Sequence, residues 1–188
     1  MRFIALIGIL LLSSTASAGW KLAEPETIAT ASSAGFSVRP PAGWVYDTGS
    51  KHIVAARNGM LLDGLRVALI PHKSAFKALK KSSTRDMLPE DLAEAYVAEL
   101  QAAGTYTDVK LVSIEPAELG GRPAFRVRLT YQLPATLGGA SMVQVAIGTA
   151  LPDGVLIATF EAPQIHFFEE SLPAAEEALR SVTLSAAK

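Results

Sequence analysis

Residues 122–133, RPAFRVRLTYQL, alternate without a slip. Phe125, Val127, Leu129, Tyr131 and Leu133 take one parity, and Ala124, Arg126, Arg128, Thr130 and Gln132 take the other. Successive side chains of a strand point to opposite faces, so this pattern predicts an extended chain with one buried face and one wet face. Such a strand needs neighbours, and the flanking sequence supplies them.

Downstream, the Gly138-Gly139 turn leads into a strand over Met142–Leu151, and Pro152-Asp153-Gly154 turns it back into Val155–Phe160. The run Val155-Leu156-Ile157-Ala158 is apolar at both parities, as expected of an inner strand covered on both sides. A closing helix follows over Phe168–Arg180, with Phe168, Leu172, Ala175, Leu179 and Val182 as its core stripe and Glu169, Glu170, Glu176 and Glu177 outside. Pro173 suits a first-turn position if that helix starts near Ser171.

Upstream, Gly120-Gly121 separates the alternating strand from another over Val109–Ile114. Before it, Pro89, Glu90 and Asp91 read as a helix start and Gly104 as a left-handed stop, with Leu92, Ala95, Tyr96 and Leu100 on one face and Glu94 and Glu99 outward. Strands over His52–Ala56 and Leu65–Ile70, punctuated by Asn58-Gly59 and Asp63-Gly64, give an antiparallel meander. The stretch 35–46, GFSVRPPAGWVY, reads as two short strands around a Pro-Pro-Ala-Gly turn.

The ends carry a different signal. Residues 1–18 join one Arg, an apolar run over Phe3–Leu12 and a terminal Ala16-Ser17-Ala18, the pattern of a secretory signal peptide cut between Ala18 and Gly19. That run is shorter than the roughly 20 residues of a spanning helix, so no stable membrane insertion is expected after cleavage. Residues 19–34 are small and polar and read as an N-terminal arm, leaving 35–188 as a single domain. The chain has no cysteine, so its stability rests on an apolar core and it can hold neither a disulfide nor a thiolate-bound metal. With Arg2 removed, 16 basic residues face 18 acidic ones, a net charge of −2, and no affinity for nucleic acid follows.

The pattern F-x-V-x-x-P-x-G-W over Phe36–Trp44, the meander, the helix, the corner Gly121-Arg122-Pro123-Ala124-Phe125, the closing hairpin and a terminal F-x-x-x-L helix together resemble the PsbP-like family, which is similar in structure to Ran-binding Mog-type proteins. The resemblance spans residues 35–184. It implies an α+β fold, an α/β/α sandwich with a central antiparallel sheet flanked by helices, in which 35–46 is the first hairpin and Phe36 and Trp44 pack inward. The matching residues build the fold, and no catalytic residue carries over from the family.

Chemistry is sparse. The sequence has no G-x-S-x-G elbow, no P-loop and no dinucleotide fingerprint, and its three histidines, His52, His72 and His166, are isolated from one another. His166 with Glu169 and Glu170 reads as a helix-start pair rather than a metal site, and no cofactor is expected. Two basic features are candidate binding residues. Lys73, Lys77, Lys80, Lys81 and Arg85 crowd an acid-free span, KSAFKALKKSSTR, around Phe76 and Leu79, which reads either as an ordinary exposed loop whose lysines keep it soluble or as a patch suited to an acidic partner or anionic headgroups. Arg126 and Arg128 stand on the wet parity of the long strand: if that face is open they suit carboxylate or phosphate groups, and if a helix covers it they pair with Glu or Asp. The sequence therefore reads as an exported, non-catalytic accessory or binding protein, periplasmic or secreted, acting through a protein or envelope component. The alternative is a small-ligand carrier or an enzyme with a site assembled from scattered residues.

Overall fold

A computed structural model describes residues 19–185; the leader and its expected cut lie outside them. The first half of the chain forms β1 (Lys21–Leu22), β2 (Ala29–Ala31), β3 (Phe36–Val38), β4 (Val45–Thr48), β5 (His52–Ala56), the single-turn α1 (Met60–Asp63) and β6 (Gly64–Ile70). The second half forms α2 (Pro89–Ala102), β7 (Thr107–Leu119), β8 (Arg122–Gln132), β9 (Ser141–Leu151), β10 (Gly154–Pro163), α3 (Phe167–Arg180) and β11 (Thr183–Leu184). Eight strands make one antiparallel sheet in the order β1-β4-β5-β6-β10-β9-β8-β7, and β11-β3-β2 make a second. The fold is mixed α+β, dominated by the large antiparallel sheet.

The alternation of β8 decides which side each layer occupies. Phe125, Val127 and Leu129 join Ala146 of β9 and Val155 and Ile157 of β10, and α2 covers them with Leu92, Ala93, Tyr96 and Val97. On the opposite face Val143, Val145, Ile147, Leu156, Ala158 and Phe160 pack against Phe168, Ala175 and Leu179 of α3. The small sheet shares that second face, contributing Phe36 and Val38. Each face thus receives one long helix, and β10 is apolar at both parities because both its faces are covered.

Several expectations shift. GFSVRPPAGWVY is not a hairpin: β3 pairs with β2 and β11, whereas β4 pairs with β1 and β5, so the proline turn carries the chain from one sheet to the other. Phe36 and Trp44 are nonetheless buried, at 0 % and 3 % exposure. The segment 19–34, read as an arm, supplies β1 and β2 and buries Ala23, Ala29 and Ala31. Helix α3 begins at Phe167, so Pro173 lies in its interior rather than its first turn. The buried stripe of α2 runs through Ala93 and Val97 beside Leu92 and Tyr96, with Ala95 and Leu100 at its margin. Pro116 falls inside β7, where the strand's edge position leaves room for a residue without an N–H.

A clamped lysine loop as candidate interaction surface

Between β6 and α2 the chain makes a loop whose two ends are tied together. The His72 ring reaches Leu151 O through Nε2 at 3.0 Å and Ser83 Oγ through Nδ1 at 2.7 Å. A carbonyl only accepts, so Nε2–H donates to it, and in the neutral ring the Ser83 hydroxyl then donates to Nδ1. Ser83 N also donates to His72 O at 3.1 Å. Within the loop Ala75 and Phe76 are buried against the α2 core, Lys81 N donates to Phe76 O, and Lys80 takes the left-handed conformation at φ 55°.

The acid-free span has an acid beneath it. Glu99 of α2, expected to face outward, accepts hydrogen bonds from Ala78 N at 2.9 Å and Leu79 N at 3.1 Å. Its charge is committed to backbone donors, and Lys73, Lys77, Lys80 and Lys81 remain exposed on the outer side. Among the described residues none of these four ammonium groups lies within 4.0 Å of a carboxylate, and the nearby Arg85 pairs with Asp86 at 3.4 Å.

Arg126 and Arg128 sit differently. Helix α3 roofs their face, Arg126 pairs with Glu176, and Arg128 lies 3.3 Å from Glu169 and 4.9 Å above the Phe168 ring. Both guanidiniums are paired within the fold, Arg126 with its side chain 27 % exposed and Arg128 with its side chain 40 % exposed. Glu169 and Glu176, read as a solvated side of the helix, are the acids that hold them. His166 approaches Glu170 at 3.1 Å, and Glu170 also accepts from Arg57. Among the described residues no group of three or more metal-ligating side chains converges.

One cluster went unread in the sequence. Tyr96 donates to Gln144 Oε1 at 2.7 Å, and Gln144 Nε2 and the Tyr131 hydroxyl both donate to Glu161 Oε2, at 2.9 and 2.6 Å. Tyr106 stacks on Tyr131 with centroids 4.3 Å apart. Burial, and then the Glu161 charge, push the phenols of Tyr96, Tyr106 and Tyr131 above their ordinary range. The signal available was Glu161 itself, a carboxylate at the parity of the apolar Val155 and Ile157 in a strand otherwise read as core. A separate open groove of about 290 Å³ lies between Pro40-Pro41, Glu24 to Glu26 and the Ala174 to Ala178 side of α3.

The solution structure of cyanobacterial PsbP from Synechocystis sp. PCC 6803 matches 98 % of this chain over 98 % of its own, with a TM-score of 0.56 at 11 % sequence identity. The chain has the PsbP fold. A protein from Bacteroides thetaiotaomicron VPI-5482 is similar over 80 % of the chain (TM-score 0.48, 12 % identity), and the chain spans only 45 % of that protein's length. LpqN of Mycobacterium tuberculosis, involved in cell envelope biogenesis, is similar over 88 % of this chain and 83 % of its own, with TM-score 0.43 and 14 % identity. No family model and no curated protein matches the chain. Within the PsbP fold seen here, the lysine loop stands at the rim of the α2 layer, beside the turn that joins β9 to β10.

Proposed function

We propose that the chain is an exported, non-catalytic accessory protein of the cell envelope that holds an acidic protein partner on Lys73, Lys77, Lys80 and Lys81. One observation carries this reading: four exposed lysines, none with an acidic partner among the described residues, ride on a loop fixed by His72, Ser83, Phe76 and Glu99. The secretory pattern of residues 1–18 supports export to a periplasm or beyond, with release at Ala18-Gly19. Among the described residues no helix is long and apolar enough to cross a membrane. The layering is read as an α/β/α sandwich in which the small sheet reinforces one outer layer, so partners meet its rims and outer faces.

The test compares wild type with a Lys77, Lys80 and Lys81 to Glu variant. Each is used to capture partners from the envelope fraction of the producing cells, with vesicles of anionic lipid as a parallel arm. The reading expects one acidic protein to be recovered by wild type and lost by the variant at an unchanged melting temperature. Equal recovery by both would sink it, and binding to vesicles alone would reassign the surface to lipid. A second reading, a small-ligand carrier or an enzyme built from scattered residues, draws on the Tyr96, Gln144, Glu161 and Tyr131 network. It expects a metabolite that raises the melting temperature of wild type and not of Glu161→Gln.

A further inference from the structure

The large sheet ends in a long strand whose outer edge, among the described residues, meets no other strand. Strand β7 runs 13 residues, about 43 Å at a strand's rise, and exposes Leu111, Val112 and Ile114 at 44 %, 56 % and 44 %. The opposite edge, β1, has only two residues. A long edge with exposed apolar side chains is a template for another strand.

The register with β8 fixes where each β7 side chain points. Leu111 and Ile114 pair with Leu129 and Val127, so they stand on the α2 face; Lys110, Ser113 and Glu115 pair with Thr130, Arg128 and Arg126, so they stand on the α3 face. Lys110 and Glu115 are five residues apart and in a regular strand would point to opposite faces. The irregularity between Leu111 and Ser113 inserts Val112 as an extra residue and brings both charges to one face.

We propose that two copies of this chain pair antiparallel along β7, about a two-fold axis between Val112 and Ser113. In that register Lys110 lies opposite Glu115 of the second copy, and Leu111 lies opposite Ile114 of the second copy. Both pairs occur twice by symmetry, and in each the two side chains share a face. Within one copy Lys110 lies 2.8 Å from Asp108, an exposed pair of the weak kind that a cross-strand partner can share or replace. A slip of one residue either way sets Lys110 against Ile114 or Pro116 and turns the paired side chains to opposite faces. Pro116, which has no N–H to offer, falls opposite Val109, whose carbonyl already accepts from Gln101 Nε2 at 3.4 Å. Charges and a proline usually guard an edge against pairing of any kind. Here unlike charges oppose each other in one register, so they select it.

A single strand edge is a small interface, and the dimer is accordingly a weak, concentration-dependent one. Sedimentation equilibrium of purified wild type, K110E, E115K and the K110E/E115K double variant tests it. Wild type is expected to dimerise, each single reversal to weaken association about tenfold or more, and the double variant to recover it, since each reversal sets two like-charged pairs in the dimer. An equimolar mixture of the two single variants should also associate. The K110E copy carries acids at both positions and the E115K copy carries bases at both, so unlike charges again face each other across the strands. A wild type that stays monomeric up to its solubility limit overturns the proposal. So does a dimer that single reversals leave untouched, or a double variant no better than either single.

Discussion

Gly148 stands in the middle of β9 on the α2 face, and a Cβ added there would sit 2.6 Å from the edge of the Phe125 ring. Phe125 is 1 % exposed and leans on Tyr96 with centroids 5.8 Å apart, so it has nowhere to retreat. Gly148→Ala is expected to cost about 1–3 kcal/mol, read from chemical denaturation. Beside it, Gln144 is 4 % exposed and bridges Tyr96 to Glu161; Gln144→Leu leaves the Tyr96 hydroxyl buried without an acceptor and should cost about 1–3 kcal/mol. The same cluster sets a pH response. Tyr96, Tyr106 and Tyr131 titrate above the ordinary 10.0, first because they are buried and then because Glu161 is near. The unfolded chain therefore releases these protons first, and stability holds below pH 10 and falls as pH rises past it. Stability measured against pH should bend downward there, and less steeply in Glu161→Gln. The alternation made Tyr131 legible as an inward residue, but its partner lies thirty residues away, and no spacing rule joins them.

At the scale of elements, strict periods were legible and local chemistry that competes with them was not. β8 and the apolar run of β10 read correctly because a period of two, or its absence, is set by burial on each face. The segment over 35–46 misled because two strands around a proline turn look alike whether they pair with each other or part into separate sheets. The lysine loop was legible as a charged patch, yet its clamp was not, since Glu99 reaches it from a helix twenty residues on. That clamp gives a prediction. Glu99→Ala removes a charged acceptor from two backbone donors and is expected to cost about 1–3 kcal/mol, with faster hydrogen exchange at Ala78 and Leu79. Pro173 gives another. It is exposed inside α3, where the Glu169 carbonyl loses its usual donor, so Pro173→Ala should stabilise by about 1–2 kcal/mol after the loss of unfolded-state restraint is deducted.

Over the whole molecule, the three-stranded sheet closes the fold. β3 lies between β2, from the start of the described chain, and β11, from its end, so one small sheet fastens both termini over the α3 face. Ala29 and Ala31 of β2 are 2 % and 0 % exposed, and beneath them lie Phe36, Val38 and Ile53 in the same core. A dispensable arm would leave these residues covered when removed; the strand pairing says that it does not. Deletion of residues 19–34 is expected to strip one edge of β3, expose Phe36 and Trp44, and cost about 3 kcal/mol or more, a fall in Tm of roughly 6–12 °C. Calorimetry of the truncated protein against the chain beginning at Gly19 decides the matter. A truncated protein that melts with the intact one would mean that β1 and β2 rest on the domain without holding it. A cooperative but earlier transition would show that the termini belong to the folding unit itself.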